Sequence, residues 1–393
     1  MTNRHVVNTR LFVISVLLGL FDGADLGSMG LAMSRISREL SLDPVEAGLC
    51  ASASLVGLTL GAMVCGRLAD IIGRKILLAA TALCLGVFSL LTAHVVTYHA
   101  LLVVRFLAGI GMGGLYPIVI MSCHDSAVPS FRSTAVSILV AAASVGGLSV
   151  SMVAMAPDWR WIFYFGGIGP LLLLPFILMI ASTDAVARTG NSDRNRIGAI
   201  LFGEARTMGT VAVWASCFFT AMTIYCVINW VAALLVKQGY TENMSHVGAA
   251  TYSVGAIFGN LLAGYLADRG GARTVYITTY LTTVGGLLLM AATPGPALTF
   301  LSIFGIAAAI GGAQLVTYAL VPTFYPALGR GTGVGAMVAS GRIGSICGPI
   351  MAGLVLRGGG SAGAVFLALV PGVLVALVLA LAFLKQLRLR AIP

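Results

Sequence analysis

Two aspartates, Asp22 and Asp25, lie three residues apart inside a long apolar stretch, residues 11–33. On a helix this spacing places both side chains on one face. Two carboxylates this close repel each other when both are ionised, and apolar surroundings also disfavour charge. We therefore expect at least one of them to bind a proton near neutral pH, as a proton carrier requires. The alternative is a static ion pair with a buried arginine.

Two arginines, Arg105 and Arg342, also lie within apolar stretches. An ionised side chain at the centre of a bilayer costs about 2.5–3.5 kcal/mol on insertion scales, so such residues are candidates for function. The planar guanidinium of Arg342 can bind a carboxylate through two parallel hydrogen bonds, which predicts that it holds a substrate anion. The alternative is a structural bridge to an acidic residue, such as an aspartate of the first half. For Arg105 two interpretations are open: a second anion contact, or the partner of Asp25.

The composition requires a membrane to surround these charges. Hydrophobic residues make up 59% of the 393 residues and charged residues only 9%, whereas soluble domains carry about 25% charged residues. No cleavable secretory signal is evident at the start of the chain. A membrane-spanning helix needs about 20 mostly apolar residues. Twelve stretches fit: 11–33, 46–66, 76–93, 98–121, 133–156, 160–181, 209–236, 247–267, 274–292, 297–325, 331–356 and 361–384.

The formal net charge of +10 follows the predicted topology. Most of the 23 basic residues fall on the side of the membrane that carries the N-terminus, which places both termini in the cytoplasm and argues against nucleic-acid binding. The seven cysteines form no metal-ligand pattern, and we expect them to be packing residues. They are Cys50, Cys65, Cys84, Cys123, Cys217, Cys226 and Cys347.

The sequence repeats itself at one fixed offset. A shift of 198 residues aligns Gly57 with Gly255, Gly61 with Gly259, and Gly146 with Gly344. The polar stretch 182–208 lies between the two copies. The sequence therefore predicts an N-terminal six-helix bundle (1–181), a cytoplasmic linker (182–208) and a C-terminal six-helix bundle (209–393). Parallel duplication of this kind is typical of transporters whose site lies between two rocking halves.

Several motifs identify a family. GRLADIIGRK (66–75) resembles the loop motif between the second and third helices of the major facilitator superfamily, and GYLADRGGAR (264–273) is its second copy. RFLAGIGMGG (105–114) resembles the fourth-helix motif of that superfamily. DGAD (22–25) is similar to the D-G-x-D of the aromatic acid:proton symporter family. VINW (227–230), GGAQLVTYALVPTFYP (311–326) and RGTGVGAMVASGRIGSICGP (330–349) are most similar to the hydroxyphenylpropionate and hydroxycinnamate branch.

This resemblance implies an all-α membrane protein with twelve transmembrane helices in two six-helix halves related by pseudo-two-fold symmetry. It implies a multi-pass protein of the inner membrane, a monomer in the lipid bilayer. The implied function is proton-coupled import, by alternating access, of an aromatic carboxylate such as a hydroxyphenylpropionate, hydroxycinnamate or hydroxybenzoate, in the catabolism of aromatic compounds. No cofactor other than the coupling proton, no metal and no enzymatic activity is expected.

The resemblance also assigns further residues. In this fold the first, fourth, seventh and tenth helices line the cavity, so two polar pairs could bind ring substituents: Tyr225 with Asn229, and Gln314 with Tyr318. Ordinary hydrogen bonding between helices is the alternative for these pairs. Six charged residues at cytoplasmic helix ends are expected to act as gates: Asp70, Arg74, Asp268, Asp125, Arg132 and Arg330. For Asp125, Arg132 and Arg330 the alternative is an ordinary solvated loop.

A drug/proton antiporter is the alternative function on the same fold. Such antiporters usually carry a proline-containing glycine motif in the fifth helix, and here that helix has Gly146 and Gly147 without the proline. A cationic drug would also be repelled by Arg342 and Arg105. A membrane enzyme has no support, because no nucleophile–base pair or metal-ligand cluster is evident.

Overall fold

The computed structural model describes residues 8–126, 132–179, 201–203, 206–292, 295–325 and 330–391. Across these ranges the regular structure is helical throughout, with twelve long helices. In chain order they are α1 (Thr9–Glu39), α2 (Pro44–Ile72), α3 (Arg74–Thr92), α4 (Tyr98–Asp125), α5 (Arg132–Val153), α6 (Arg160–Leu178), α7 (Thr207–Lys237), α8 (Glu242–Gly270), α9 (Ala272–Ala291), α10 (Pro296–Phe324), α11 (Arg330–Arg357) and α12 (Ala362–Ala391).

The all-α membrane fold predicted from the sequence is confirmed. Among the described residues, ten helices contain a stretch long and apolar enough to cross a membrane. Helices extend past the predicted apolar stretches, as where α1 continues to Glu39. The apolar pattern marks only the part within hydrocarbon, and a helix can continue into the polar interface. Most of the predicted linker, 182–200 with 204–205, lies outside the described residues.

Local sequence signals explain where α2 begins. Asp43 is the N-cap, and its carboxylate accepts a hydrogen bond from the backbone N–H of Glu46 at 2.8 Å. The Glu46 side chain in turn accepts from the N–H of Asp43 at 3.0 Å, which completes a capping box. Pro44 occupies the first helical position, where its missing N–H costs nothing.

The α-carbon contacts divide the chain into two compact units. The first comprises Met1–Thr189 and Tyr240–Ala250, and the second comprises Gly190–Gly239 and Thr251–Pro393. In the first unit α1 packs against α5, and α4 packs between α2 and α3. In the second unit α7 packs against α11 and α12, and α9 packs against α10 and α12.

The 198-residue repeat is visible in how helices approach one another. A β-carbon built on Gly146 would overlap the carbonyl oxygen of Leu20, and one built on Gly344 would overlap that of Phe218. The glycine and the residue it contacts in the second unit therefore both lie 198 positions after their counterparts in the first unit. The same relation links two more pairs of contacts: Gly57 with Phe106 and Gly255 with Phe304, and Gly61 with Ile110 and Gly259 with Ala308. Each unit thus uses glycine at equivalent positions to bring helix backbones together.

Replacing Gly146 by alanine tests this packing. The added methyl group has no space against the α1 backbone, so we expect Gly146→Ala to destabilise the fold by about 1–3 kcal/mol. Gly285→Ala is the matched control, because a β-carbon at Gly285 meets nothing within 4 Å. Alanine is a better helix former than glycine, so the control should melt at the same or a higher temperature. Thermal unfolding in detergent measures both, and equal melting temperatures would contradict the packing role.

Candidate functional site

The first unit contains a buried ion pair between Asp25 on α1 and Arg105 on α4. Nη2 of Arg105 donates to Oδ2 of Asp25 at 3.0 Å, and Nη1 donates to Oδ1 at 3.3 Å. The two side chains are 0% and 1% exposed. This is the two-pronged geometry that matches a guanidinium to a carboxylate. Of the two interpretations open for Arg105, the structure therefore shows pairing with Asp25.

Side chains from three further helices contact this ion pair. Ser89 on α3 donates its hydroxyl to Oδ1 of Asp25 at 2.8 Å, and Nε of Arg105 donates to Oγ of Ser54 on α2 at 3.0 Å. The guanidinium carbon lies 5.4 Å from the ring centroid of Phe163 on α6, within the range of a cation–π contact. The ionised carboxylate thus accepts three hydrogen bonds, which offset the cost of burying its charge.

Asp22 lies one helical turn before Asp25 on the same face of α1. Asp22 is only 8% exposed, so it is buried, as Asp25 is. The structure thus buries both carboxylates within the first unit. Their roles in proton transfer stay predictions.

The second unit holds a group of polar side chains around Arg342 on α11. Nη1 of Arg342 donates to the hydroxyl of Tyr225 on α7 at 3.3 Å. Of the predicted residues in this unit, Arg342 and Tyr225 are therefore in direct contact.

The two predicted polar pairs differ in what their amides do. Nε2 of Gln314 donates to the Tyr318 hydroxyl at 2.7 Å, and both side chains are at least partly exposed. Nδ2 of Asn229 instead donates to the backbone carbonyl of Tyr225 in its own helix at 2.9 Å, and Asn229 is buried. Asn229 therefore uses an amide N–H within α7, whereas the Gln314–Tyr318 pair remains accessible.

The predicted gate residues fall at helix ends whose side chains lie outside the described part of the structure: Asp70, Arg74, Asp125, Arg132, Asp268 and Arg330. Their role as gates stays a prediction. Within the described residues, the histidines, cysteines and carboxylates form no group that could hold a metal ion. The seven cysteines are free thiols.

Sequence reasoning missed an ionic cluster at the C-terminal end of α1. Glu242, at the start of α8, accepts from Nε of Arg35 at 2.8 Å and also pairs with Arg38. Arg35 additionally donates to the carbonyl of Ala156 in the α5–α6 loop at 2.7 Å. The indole of Trp159 and the guanidinium of Arg160 both donate to Glu39, at 2.7 and 2.6 Å. No spacing rule relates these positions, because they meet only when the helices pack.

Comparison with known proteins agrees with the motifs. Residues 15–249 and 213–391 match the family model of the Major Facilitator Superfamily. The chain belongs to this superfamily of membrane transporters. Solved structures of Major Facilitator proteins share its fold. The nucleoside transporter NupG aligns with a TM-score of 0.77 at 16% identity, covering 96% of this chain and 98% of that one. The D-xylose-proton symporter aligns with a TM-score of 0.77 at 18% identity, covering 94% and 96%.

Curated Major Facilitator relatives are more similar in sequence. The 3-(3-hydroxy-phenyl)propionate transporter of Escherichia coli K12 is 33% identical over 363 residues, which span 92% of this chain and 90% of that protein. The benzoate transport protein of Acinetobacter baylyi is 29% identical over 387 residues, spanning 88% and 83%. The 4-hydroxybenzoate transporter PcaK of Pseudomonas putida is 26% identical, spanning 86% and 84%.

A double-mutant cycle tests the energetics of the buried pair. Asp25→Asn or Arg105→Gln alone leaves a charge buried without its partner, which we expect to cost about 3–5 kcal/mol of stability. The double variant removes both charges and should be clearly more stable than the sum of the single effects predicts. Thermal unfolding in detergent measures the cycle.

The Glu39–Arg160 pair is the matched control for this cycle, because both of its side chains are substantially exposed. Glu39→Gln and Arg160→Gln should each change stability by only about 0–1 kcal/mol. If the Asp25 and Arg105 effects are as small as these, or strictly additive, the buried pair is not a coupled unit.

Proposed function

We propose that this chain imports an aromatic carboxylate together with protons across the inner membrane by alternating access, with both termini in the cytoplasm. The family supports transport, and the relatives that transport 3-(3-hydroxy-phenyl)propionate, benzoate and 4-hydroxybenzoate support an aromatic acid as substrate. The observation that carries the proposal is the environment of Arg342. Within the described residues, its guanidinium donates to the hydroxyl of Tyr225 and to no carboxylate.

The sequence of the second unit explains why Arg342 would await an anion. Asp268, near the end of α8, is the only acidic residue in residues 207–239 and 251–393. Arg342 lies in the interior of α11. Its positive charge in a membrane helix is costly unless an anion compensates it. A substrate carboxylate supplies that charge, and the planar fork of the guanidinium fits it.

The aspartates of α1 supply the coupling in this proposal. Protonation of Asp25 removes the negative charge that holds Arg105, so the ion pair weakens and α1 and α4 can shift. Asp22, one turn away, can take up a second proton. Loading of protons and of the anion then precedes the conformational change, and proton release on the cytoplasmic side weakens substrate binding.

Coupling is needed because the membrane potential opposes the entry of an anion. A negative interior costs about 2.3 kcal/mol per charge for each 100 mV. One proton per monovalent anion removes this cost, and two protons make the potential drive uptake. A cationic drug, as in the antiporter alternative, would be repelled by Arg342.

Uptake and counterflow in proteoliposomes test the substrate assignment. We expect the wild type to accumulate labelled 3-(3-hydroxyphenyl)propionate or benzoate when the lumen is alkaline. Arg342→Gln should lower uptake at subsaturating substrate by about tenfold or more, since it removes a charge-assisted double hydrogen bond. Arg357→Gln, a change of the same type at the exposed end of the same helix, should have little effect. Wild-type transport that ignores the pH gradient would contradict proton symport, and an unaffected Arg342→Gln would contradict the anion site.

Asp22→Asn tests the coupling role separately. Asparagine mimics a permanently protonated carboxyl group, so the variant should still exchange labelled for unlabelled substrate by counterflow. It should lose accumulation driven by a pH gradient, because it no longer releases the proton. Asp158→Asn is the control, since Asp158 is an exposed loop carboxylate near Arg160. Gradient-driven accumulation at the wild-type level in Asp22→Asn would show that this residue carries no coupled proton.

A further inference from the structure

The hydroxyl of Ser89 on α3 is directed away from its own helix. A hydroxyl on a helix commonly donates to the carbonyl about four residues earlier, as Thr92 does to Phe88 at 2.8 Å. Ser89 is fully buried and instead donates across to Oδ1 of Asp25 on α1, also at 2.8 Å. Within the described residues, its hydroxyl makes no hydrogen bond to a carbonyl of α3. The Ser89 hydroxyl therefore binds the buried carboxylate rather than its own backbone.

The backbone carbonyl of Phe163 on α6 is a second acceptor near this hydroxyl. It lies 3.4 Å from Oγ of Ser89, compared with 2.8 Å for Oδ1 of Asp25. A serine hydroxyl carries one proton, so it donates to one of these acceptors at a time, and the shorter distance assigns it to Asp25. A β-carbon built on Gly166 would lie 3.2 Å from Oγ of Ser89 and 3.5 Å from Oδ1 of Asp25. Because glycine lacks that carbon, this face of α6 leaves space in which the hydroxyl can turn.

A proton on Asp25 needs an acceptor that Arg105 does not have. An ionised carboxylate only accepts hydrogen bonds, whereas a protonated carboxyl group carries one O–H. Both oxygens of Asp25 face the guanidinium of Arg105, which has five N–H donors and no acceptor. Among the described side chains that are hydrogen-bonded to this carboxylate, only Ser89 can accept. A buried O–H left without an acceptor is costly, so Ser89 determines whether the protonated form is satisfied.

We propose that Ser89 reverses its hydrogen bond with Asp25 when that carboxyl group takes up a proton. In the ionised state the serine O–H donates to Oδ1. In the protonated state the new proton lies on Oδ1 and is donated to Oγ of Ser89, which turns its own O–H to the carbonyl of Phe163. Neither state then contains an unpaired buried O–H. Ser89 is a positioning residue that acts through Asp25, and this inference rests on the proposed function, in which Asp25 carries a coupled proton.

Other charged groups around Asp25 do not supply this acceptor. They are Arg105 on α4 and Asp22, one turn earlier on α1, whose carboxylate makes no hydrogen bond to the Asp25 side chain. Helix α5, which packs against α1, is uncharged over residues 133–153. The contacts of α2, α3 and α6 with the ion pair come from serine and phenylalanine side chains. Arg105 and Asp22 therefore determine the charge near Oδ1, and Ser89 supplies the acceptor for its proton.

Infrared difference spectra between alkaline and acidic pH test the reversal. A protonated carboxyl group has a C=O stretching band, and this band moves to higher wavenumber when the O–H loses its hydrogen-bond acceptor. The band of Asp25 is identified by its absence from the double variant Asp25→Asn/Arg105→Gln, in which both charges are removed. We expect Ser89→Ala to shift this band to higher wavenumber than in the wild type.

Two further variants separate the hydroxyl from its packing. Ser89→Cys fills nearly the same space with a thiol, which is a weak donor and a weak acceptor, so it should shift the band in the same direction. It also gives this readout if the alanine variant does not fold. Ser151→Ala is the matched control and should leave the band in place, because the buried Ser151 hydroxyl donates to the carbonyl of Gly147 in its own helix at 2.8 Å.

Transport gives a second readout in proteoliposomes. Ser89→Ala and Ser89→Cys should lower the accumulation of substrate driven by a pH gradient by about two- to tenfold, which is the effect of one neutral hydrogen bond. Ser151→Ala should accumulate substrate at the wild-type level.

The outcomes distinguish this inference from the proposed function. An Asp25 band that keeps its position in both Ser89 variants would overturn the reversal. A shift in Ser89→Ala without one in Ser89→Cys would also overturn it, because that pattern indicates lost packing. If the wild type shows no Asp25 band even at acidic pH, Asp25 takes up no proton, and its coupling role fails together with the reversal. If the bands behave as expected but no aromatic carboxylate is transported, the proposed function fails and the reversal stands.

Discussion

The high cost of an uncompensated charge in an apolar interior constrains the rest of the first unit. Asp25 and Arg105 are buried, and each is tolerable only because the other neutralises it and because Ser54 and Ser89 complete their hydrogen bonds. Helices α1, α2, α3, α4 and α6 all contribute to this arrangement. The partners of the two charges therefore constrain how these five helices pack.

The second unit repeats the helix packing of the first but not its charges. The glycine contacts of Gly146 and Gly344 are equivalent at the 198-residue offset, whereas Asp22 and Asp25 correspond to Thr220 and Thr223. Thr220 shares a hydrogen bond of 2.7 Å with the hydroxyl of Tyr280, so an uncharged network occupies this part of the second unit. The close approach of helix backbones is a requirement of the fold, and it occurs in both units. The titratable chemistry appears once, as expected if it belongs to function rather than to architecture.

The sequence predicted the membrane helices and identified the charged residues within them, but it did not predict which residues those charges pair with. Long apolar stretches mark membrane helices directly, and a charge such as Arg342 is conspicuous within one. Ser54 and Ser89 gave no signal, because an isolated serine in an apolar helix is common and only its position in space makes it a partner. Arg105 was ambiguous for a related reason. A long flexible side chain can reach several helices, and its partner depends on packing that no spacing rule encodes. The ionic cluster of Glu242 with Arg35 joins residues far apart in the chain.

The charges also suggest why each anion would need a proton. Asp22, Asp25, Arg105 and Arg342 sum to zero formal charge when all four are ionised. A bound monovalent carboxylate brings the sum to minus one, and a single proton restores neutrality. Because an isolated charge in hydrocarbon costs several kcal/mol, the neutral states are the ones best able to change conformation. Under the proposed function, both the empty carrier and the carrier with anion and proton satisfy this condition, whereas the carrier with anion alone does not. Under the proposed function, coupling then follows from electrostatics, because an anion loaded without a proton leaves a charge uncompensated.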